Sequence, residues 1–448
     1  MSLLEQIKKA GIVGAGGAGF PTHVKLDCKV DYLLINAAEC EPLLDTDKYI
    51  IRNYADHLIS AVKATAKLVG AKESYIAIKE VNKTERTVLE QALAKKGEGV
   101  SLFLLDNYYP AGDEQMVVYD ITGRIVPPGG IPLNVGVVVS NVATMLQISE
   151  AMRDQAVTRK YLTVTGYVRR PMVLKVPLGT LFSACIDACG GALLERYKVI
   201  DGGPMMGKVS SGDRIRELAV TKTTSGIILI PDNGNSIARQ HDIPLERQLN
   251  RAKSACIQCS FCTDLCPRQL IGHKLRPHMI MRHMAAMDFS KPLEPNDILK
   301  EALICCECGI CETYACPMNL SPRRINQYIK HGLTGQKYEN DKTPLVPSTI
   351  REYRKVTSKR ILARMGLGEL YGKNIGAFKE IEVDYVKIPL KQHIGAPADP
   401  IVDNGDYVNC GQLIAKMAQG KIGADIHASI SGVIEVIRDE IVIRKEVR

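Results

Sequence analysis

Cys256-Ile257-Gln258-Cys259-Ser260-Phe261-Cys262-Thr263-Asp264-Leu265-Cys266-Pro267 is the stretch around which the rest of the chain can be read. Its spacing is C-x2-C-x2-C-x3-C-P. Three neighbouring thiolates at that spacing reach three corners of one 4Fe–4S cube, and the fourth, turned away by proline, ligates the other cluster of a pair. A partner group follows at Cys305, Cys308, Cys311 and Cys316-Pro317, its last gap one residue longer. The departure is tolerable because the fourth ligand comes from a separate turn. The expected assignment is Cys256, Cys259, Cys262 and Cys316 on one cluster, and Cys305, Cys308, Cys311 and Cys266 on the other. Zinc also takes C-x2-C pairs, but has no use for two triplets each followed by Cys-Pro. Cys306 falls outside the pattern and reads as a bystander.

Nine of the fourteen cysteines lie between Cys256 and Cys316, and the other five show no disulfide framework. That fits a reducing cytoplasm. A chain of 448 residues is expected to hold several domains. Hydrophobic content of 46% and charged content of 24% describe a globular protein. No apolar run approaches the ~20 residues of a membrane span, and the start Met1-Ser2-Leu3-Leu4-Glu5-Gln6 does not read as a signal peptide. The net charge of +9 suits acidic nucleotides or an acidic electron-transfer partner, but its basic residues are spread as on a solvated surface. Aromatic content of 5% without Trp, and no basic–aromatic motif, argue against nucleic acid.

Before the cysteines, a helix is expected at Leu3 to Ala10 with Leu3, Leu4 and Ile7 on one face. Then comes GIVGAGGAGFPT at residues 11–22, whose glycines let backbone amides approach a phosphate. A flexible turn has the same composition, and no strand clearly precedes this one. Tyr32–Asn36 reads as a buried strand running into Ala37-Ala38-Glu39-Cys40-Glu41-Pro42. Carboxylates at a strand's C-terminal end suggest a site, though helix-capping acids fit equally. A helix from Asp56 to Val69, a strand from Ser74 to Ile78, a helix from Glu85 to Lys96 and a strand from Val135 to Val139 continue an α/β alternation.

The segments GAGGAGFPTHVK, NAAECEP, YPAGDEQ and SNVATM resemble the flavin-binding segments of the NADH-oxidising flavoprotein of respiratory complex I. They resemble the RnfC proteins of Rnf electron-transport complexes more closely. With CTDLCPRQLIGH, the ending ACP and a late QHIGA, nearly the whole chain resembles the cobalamin reductases of propanediol-utilisation microcompartments. The resemblance implies a multidomain α/β and α+β fold. Its parts would be a Rossmann-like FMN/NADH domain (1–152), a β-grasp SLBB domain (155–235) and a ferredoxin-like two-cluster helical domain (245–335). A basic connector (336–380) and a C-terminal barrel-sandwich hybrid (381–448) would follow. Carried over, it puts Gly14, Gly16, Gly17, Ala18 and Lys25 around FMN, with Asn36, Glu39, Tyr109, Gly112, Asn141 and Thr144 completing the pocket. Phe20 would face the nicotinamide, and Glu41 and Glu114 would lie near the dinucleotide. Two departures stand out: Ala15 occupies an Arg position of the complex I loop, and Ser140 replaces the first of two Asn.

Strands are expected at residues 161–166 and 172–177 and a helix from Thr180 to Ala188. Asp201–Gly207 is a tight loop, either a structural turn or an approach to the flavin domain. His273, His278 and His283, five apart, fit neither one helical face nor usual ligand spacing. Lys342 to Leu367 is expected to become helical after Pro347. From Lys387 short strands are expected, at 394–397, 407–408, 412–415, 427–432 and 433–443. A lipoyl-type carrier needs a lysine at the hairpin tip, whereas Ala428-Ser429-Ile430-Ser431 has none, so this domain reads as structural or docking.

The function implied is an NADH-oxidising flavoprotein reductase that passes single electrons through FMN and two 4Fe–4S clusters to a corrinoid. FMN would convert hydride chemistry into one-electron steps. The implied partners are NADH and a corrinoid or corrinoid-carrying adenosyltransferase, with a microcompartment shell or electron-transfer protein as a further contact. The implied place is the cytoplasm, inside or at such a shell. The main alternative is an RnfC-like electron-entry protein that passes electrons from NADH to membrane or ferredoxin partners. That family carries its barrel-sandwich segment before the flavin domain, whereas here it comes last. A ferredoxin-like relay with a decayed flavin pocket is a second alternative.

Overall fold

The computed structural model describes the chain except residues 233–236, 238–240, 289–290, 341–342, 374, 438 and 447–448. Its first layer is a four-stranded parallel sheet of β1 (Tyr32–Asn36), β2 (Glu73–Lys79), β3 (Ser101–Leu105) and β4 (Val137–Asn141), ordered β3-β2-β1-β4. β1 shows why the sequence folds this way. Leu33 and Ile35 face one hydrophobic layer and Leu34 the other, because successive side chains of a strand point to opposite faces. An uninterrupted apolar run is what a sheet covered on both sides needs. The helices Thr46–Val69 and Val142–Ala151 cover one side, and Glu114–Thr122 contributes Val117 and Val118 to the other. The strand order reverses between β1 and β4, whose last residues Asn36 and Asn141 lie in register. Ligands of open α/β sheets bind at such a switch point.

Two expectations here are corrected. The helix expected from Asp56 starts ten residues earlier, at Thr46, and bends at Tyr54 (φ −132°, ψ 23°), which breaks the apolar period. The strand expected at Val135–Val139 is Val137–Asn141, because Pro132–Val135 forms a 3-10 turn closed by Gly136 at φ 71°. β3 was not anticipated.

The second layer is a six-stranded sheet ordered β10-β6-β5-β9-β7-β8. Its strands are β5 (Arg159–Gly166), β6 (Met172–Pro177), β7 (Tyr197–Asp201), β8 (Lys208–Ser211), β9 (Gly226–Pro231) and β10 (Phe378–Glu380). β10 comes from the expected connector and runs parallel to β6 at the sheet's edge. The helix Phe182–Ala188 buries Phe182, Cys185 and Ile186 against this sheet.

Around the cysteine motifs, the helices Leu245–Ala255, Pro277–Ala286 and Pro322–Gly332 share one apolar core. The connector is helical at Ser358–Met365, where Ile361, Leu362 and Met365 pack in a core with Tyr109, Met205 and Cys308. At the C-terminus β11 (Tyr385–Pro389), β12 (Ala398–Pro400), β13 (Tyr407–Val408), β14 (Leu413–Met417), β15 (Ile426–His427), β16 (Gly432–Ile437) and β17 (Glu440–Arg444) make two sheets. The expected strand at 394–397 is instead a loop, and Ile394 N–H donates to the Ala18 carbonyl at 3.1 Å. The tip residues Ala428 and Ser429 are buried, and the Ser429 hydroxyl donates to the Leu178 carbonyl. That is a packed corner, unlike a swinging carrier arm.

Candidate active site and metal centres

At the switch point a cleft of about 160 Å³ opens between the parallel sheet, β5 and the second cysteine motif. Gly16, Asn36, Glu39, Glu41, Tyr109, Gly112 and Asn141, all expected from the sequence, line it. Asn36 ends β1, and its side-chain amide donates to the Gly112 carbonyl at 2.8 Å. A Cβ on Gly112 would come within 2.9 Å of the Cys40 side chain, so glycine permits this approach. Asn141 caps the helix Val142–Ala151 and donates to the Asp47 carboxylate at 2.8 Å.

Glu39 sits at φ 38°, a left-handed conformation that costs a non-glycine residue energy. Its carboxylate accepts from the N–H groups of Asp47 and Lys48, at 3.1 and 3.2 Å, in the first turn of the helix Thr46–Val69. Burial first, then the charge of Asp47, pushes the Glu39 carboxyl up to about 8. Asp47 is pushed up to about 6 by burial, against the hydrogen bond from Asn141. Glu41 accepts from the N–H groups of Met205 and Met206, both at 2.9 Å, while burial pushes its carboxyl up to about 7. The loop Asp201–Gly207 is therefore both a turn and a contact with the cleft. Gly203 is required there because a Cβ would fall 2.2 Å from the Glu41 carboxylate.

The remaining expected residues stand elsewhere. Thr144 accepts from the Ala15 N–H at 3.0 Å and so holds the glycine loop from behind. Lys25 pairs with Glu114 at 2.7 Å, and both lie outside the cleft lining with Gly14, Gly17, Ala18 and Phe20. Gly16, Gly17 and Ala18 are exposed, and a Cβ on Gly17 would meet nothing within 4 Å. This bare backbone suits a flavin nucleotide, whose phosphate and ribityl chain need amides and close approach. Sequence reading missed Asp47, Lys160 and Asp113 in the wall. The Asp45-Thr46-Asp47 run is a helix-start signal that could have revealed the first.

Cys256, Cys259, Cys262 and Cys316 line one small cavity closed by Met281, Leu320 and Pro322. The Cys266 thiol is close enough to those of Cys306 and Cys305, and the Cys308 thiol to those of Cys306, Cys311 and Cys266, to be raised by them. Burial pushes the Cys262 thiol up to about 12, a penalty on thiolates that cationic iron would offset. Soft thiols walled by apolar side chains fit a cubane. Cys306 faces Arg268 and hydrogen-bonds Cys308.

His273 is buried and shares a 2.8 Å hydrogen bond with the Val126 carbonyl. His278 bonds the Thr263 hydroxyl and His283 the Asn296 amide. Two bridges join cleft and cluster region. The Tyr109 hydroxyl donates to the Cys308 carbonyl at 2.7 Å, and Arg268 forms a two-point ion pair with Asp113. Cys308 itself lines the cleft.

Residues 7–150 match the Nuo51 FMN-binding domain, 161–209 the SLBB domain, 255–321 the 4Fe-4S dicluster domain and 373–446 the RnfC barrel sandwich hybrid domain. FMN and 4Fe–4S clusters are thus the cofactors. One component of the Na(+)-translocating ferredoxin:NAD(+) oxidoreductase complex of Acetobacterium woodii is 37% identical over 276 residues, 60% of this chain and 58% of that one. Cobalamin reductase PduS of Citrobacter freundii is 40% identical over 444 residues, 98% of this chain and 95% of its own. The Salmonella typhimurium protein of that name is 42% identical over 442 residues, 97% and 94% of the two chains. With such identity along almost the full length of both proteins, the chain belongs to the cobalamin reductase PduS family.

Proposed function

We propose that the chain oxidises NADH at the switch-point cleft and delivers single electrons to a corrinoid. It is an NADH-dependent flavo-iron–sulfur reductase. When bound, FMN converts a hydride donor's two electrons into one-electron steps, and the cubanes carry them onward. The protein's residues supply position and dielectric. Asn36, Gly112 and Asn141 shape the flavin wall, and the half-buried carboxyls of Glu39 and Asp47 offer hydrogen bonds to ribityl hydroxyls. The observation that carries the reading is Cys308. It belongs both to the second cysteine group and to the cleft wall, so the cluster of Cys266, Cys305, Cys308 and Cys311 is the first beyond the flavin. The cluster of Cys256, Cys259, Cys262 and Cys316 is the outer one, with exposed Ile257 and Phe261 beside it.

Electrons leave at that outer cluster. The acceptor is a corrinoid, free or presented by a corrinoid-carrying adenosyltransferase, and the place of work is inside or at a microcompartment shell. Among the described residues no helix is long and apolar enough to cross a membrane. The test is a Cys259→Ser protein followed by stopped-flow absorbance. NADH should still bleach its flavin, because hydride transfer needs only orientation at the ring, while cob(II)alamin reduction falls steeply. An unaltered rate of corrinoid reduction would remove the clusters from the route.

A further inference from the structure

The charge in the cleft is lopsided. Glu39, Glu41, Asp47 and Asp113 line it, and among the described residues Lys160 is the one cation in its wall. The glycine loop brings none, since residues 11–24 hold neither Lys nor Arg. Lys25, the next cation along, is tied to Glu114 at 2.7 Å and lies outside the lining. A phosphomonoester dianion entering beside Ala15 and Gly16 would therefore meet the carboxylate of Asp47, with Lys160 the cation in the cleft wall to balance it.

Lys160 comes from a different domain. It is the second residue of β5, and its side chain crosses from the second sheet to the back of the glycine loop. There its Nζ donates to the Ala15 carbonyl at 3.3 Å and to the Lys222 carbonyl at 2.8 Å. The residue is 3% exposed. An ammonium has three donors, so two neutral carbonyls leave one N–H uncommitted. Burying such a charge without a directly paired anion is costly, and burial draws Lys160 down to about 8, with Asp47 and Asp201 only partly opposing. Ala143, in the first turn of the helix Val142–Ala151, lines the same end of the cleft. The start of a helix favours an anion there.

We propose that Lys160 binds the phosphate of the flavin mononucleotide, a cation lent by the second domain to a glycine loop that has none. The inference rests on the reading of this cleft as the FMN site. It predicts that the phosphate, more than the ring, decides flavin affinity.

The experiment titrates full-length, cluster-loaded, flavin-depleted protein with FMN and with riboflavin, which lacks the phosphate, following fluorescence quenching. The intact protein should prefer FMN by at least about tenfold, the worth of one charge-assisted hydrogen bond. Lys160→Met should remove most of that preference, leaving riboflavin affinity within about twofold. Lys160→Arg, which keeps the charge, should restore most of it. Iron content and circular dichroism report whether each variant folds. Equal affinity of the intact protein for FMN and riboflavin would overturn the inference without any variant. So would a Lys160→Met protein that loses both ligands by the same factor, since the lysine would then be only a cross-link between two carbonyls. The cleft reading fails separately if Gly112→Val, which crowds the wall at Cys40 and Ala38, folds and binds FMN with unaltered affinity.

Discussion

The hydroxyl of Tyr109 donates a 2.7 Å hydrogen bond to the backbone carbonyl of Cys308, joining the switch-point cleft to the second cysteine motif, distant in sequence. Tyr109 is buried, in one apolar core with Cys308, Met205 and the connector residues Ile361 and Leu362. Tyr109→Phe keeps the ring and deletes the donor. We expect a stability loss of about 1 kcal/mol, the usual net worth of such a bond. Flavin bleaching by NADH should be preserved and reduction of the clusters should slow. Equal rates for both steps in variant and parent would dismiss this contact as a determinant of transfer.

The thiol assignment is tested by iron. Two cubanes require about eight irons and eight acid-labile sulfides per chain. Cys308→Ser should lose one cluster, whereas Cys306→Ser should keep both, because Cys306 falls outside the C-x2-C-x2-C spacing of the second group. Loss in the second variant and not the first would overturn the ligand sets.

Gly16 and Gly17 should separate packing from binding. A Cβ on Gly17 meets nothing within 4 Å, so Gly17→Val should fold normally yet block FMN where the cofactor meets the bare loop. A Cβ on Gly16 would sit 2.9 Å from the Asn141 side chain, so Gly16→Ala should destabilise even the flavin-free protein, by about 1–3 kcal/mol. Thermal melts of the two flavin-free variants decide the matter. A Gly17→Val protein with full FMN content would make this part of the loop a simple turn.

The half-buried carboxyl of Glu39 implies a pH effect with a definite sign. Its folded value of about 8 lies above the ordinary 4.5, so the folded chain retains a proton that the unfolded chain gives up. The resulting stabilisation is fully present below about pH 4.5 and is lost as the pH rises through about 8. The melting temperature of flavin-free protein should therefore fall between about pH 5 and pH 9, and Glu39→Gln should flatten that fall. Parallel pH curves for the two proteins would refute the assignment.

Arg268 and Asp113 form a buried pair between the first cysteine motif and the flavin domain. Arg268→Met strands the Asp113 carboxylate and should cost about 3 kcal/mol, as broken buried pairs do. Asp113→Asn in the same chain should recover part of it. A double-mutant cycle measures the coupling, and additive losses would mean that the pair carries none.

Local spacing and patterning were enough to read the cysteine chemistry and the strand that leads into the site. The expected crossed ligand sets rest on short-range spacing and two Cys-Pro steps, and Tyr32–Asn36 follows from an apolar run bounded by polar residues. Both signals are local, so they survive without knowledge of the fold. Other parts of the site were illegible for physical reasons. The start of the helix Thr46–Val69 was hidden because the bend at Tyr54 breaks the 3.6-residue period, and with it went Asp47. Lys160 reads in sequence as a polar position next to alternating apolar ones in a strand, the usual mark of a solvated face. The docking of the second sheet behind the glycine loop is what buries it and aims its ammonium at Ala15. Residue periodicity states which face of an element is covered, but not which distant segment covers it. That the switch-point cleft is walled by three separate parts of the chain is therefore a property of the folded packing, and no local pattern carries it.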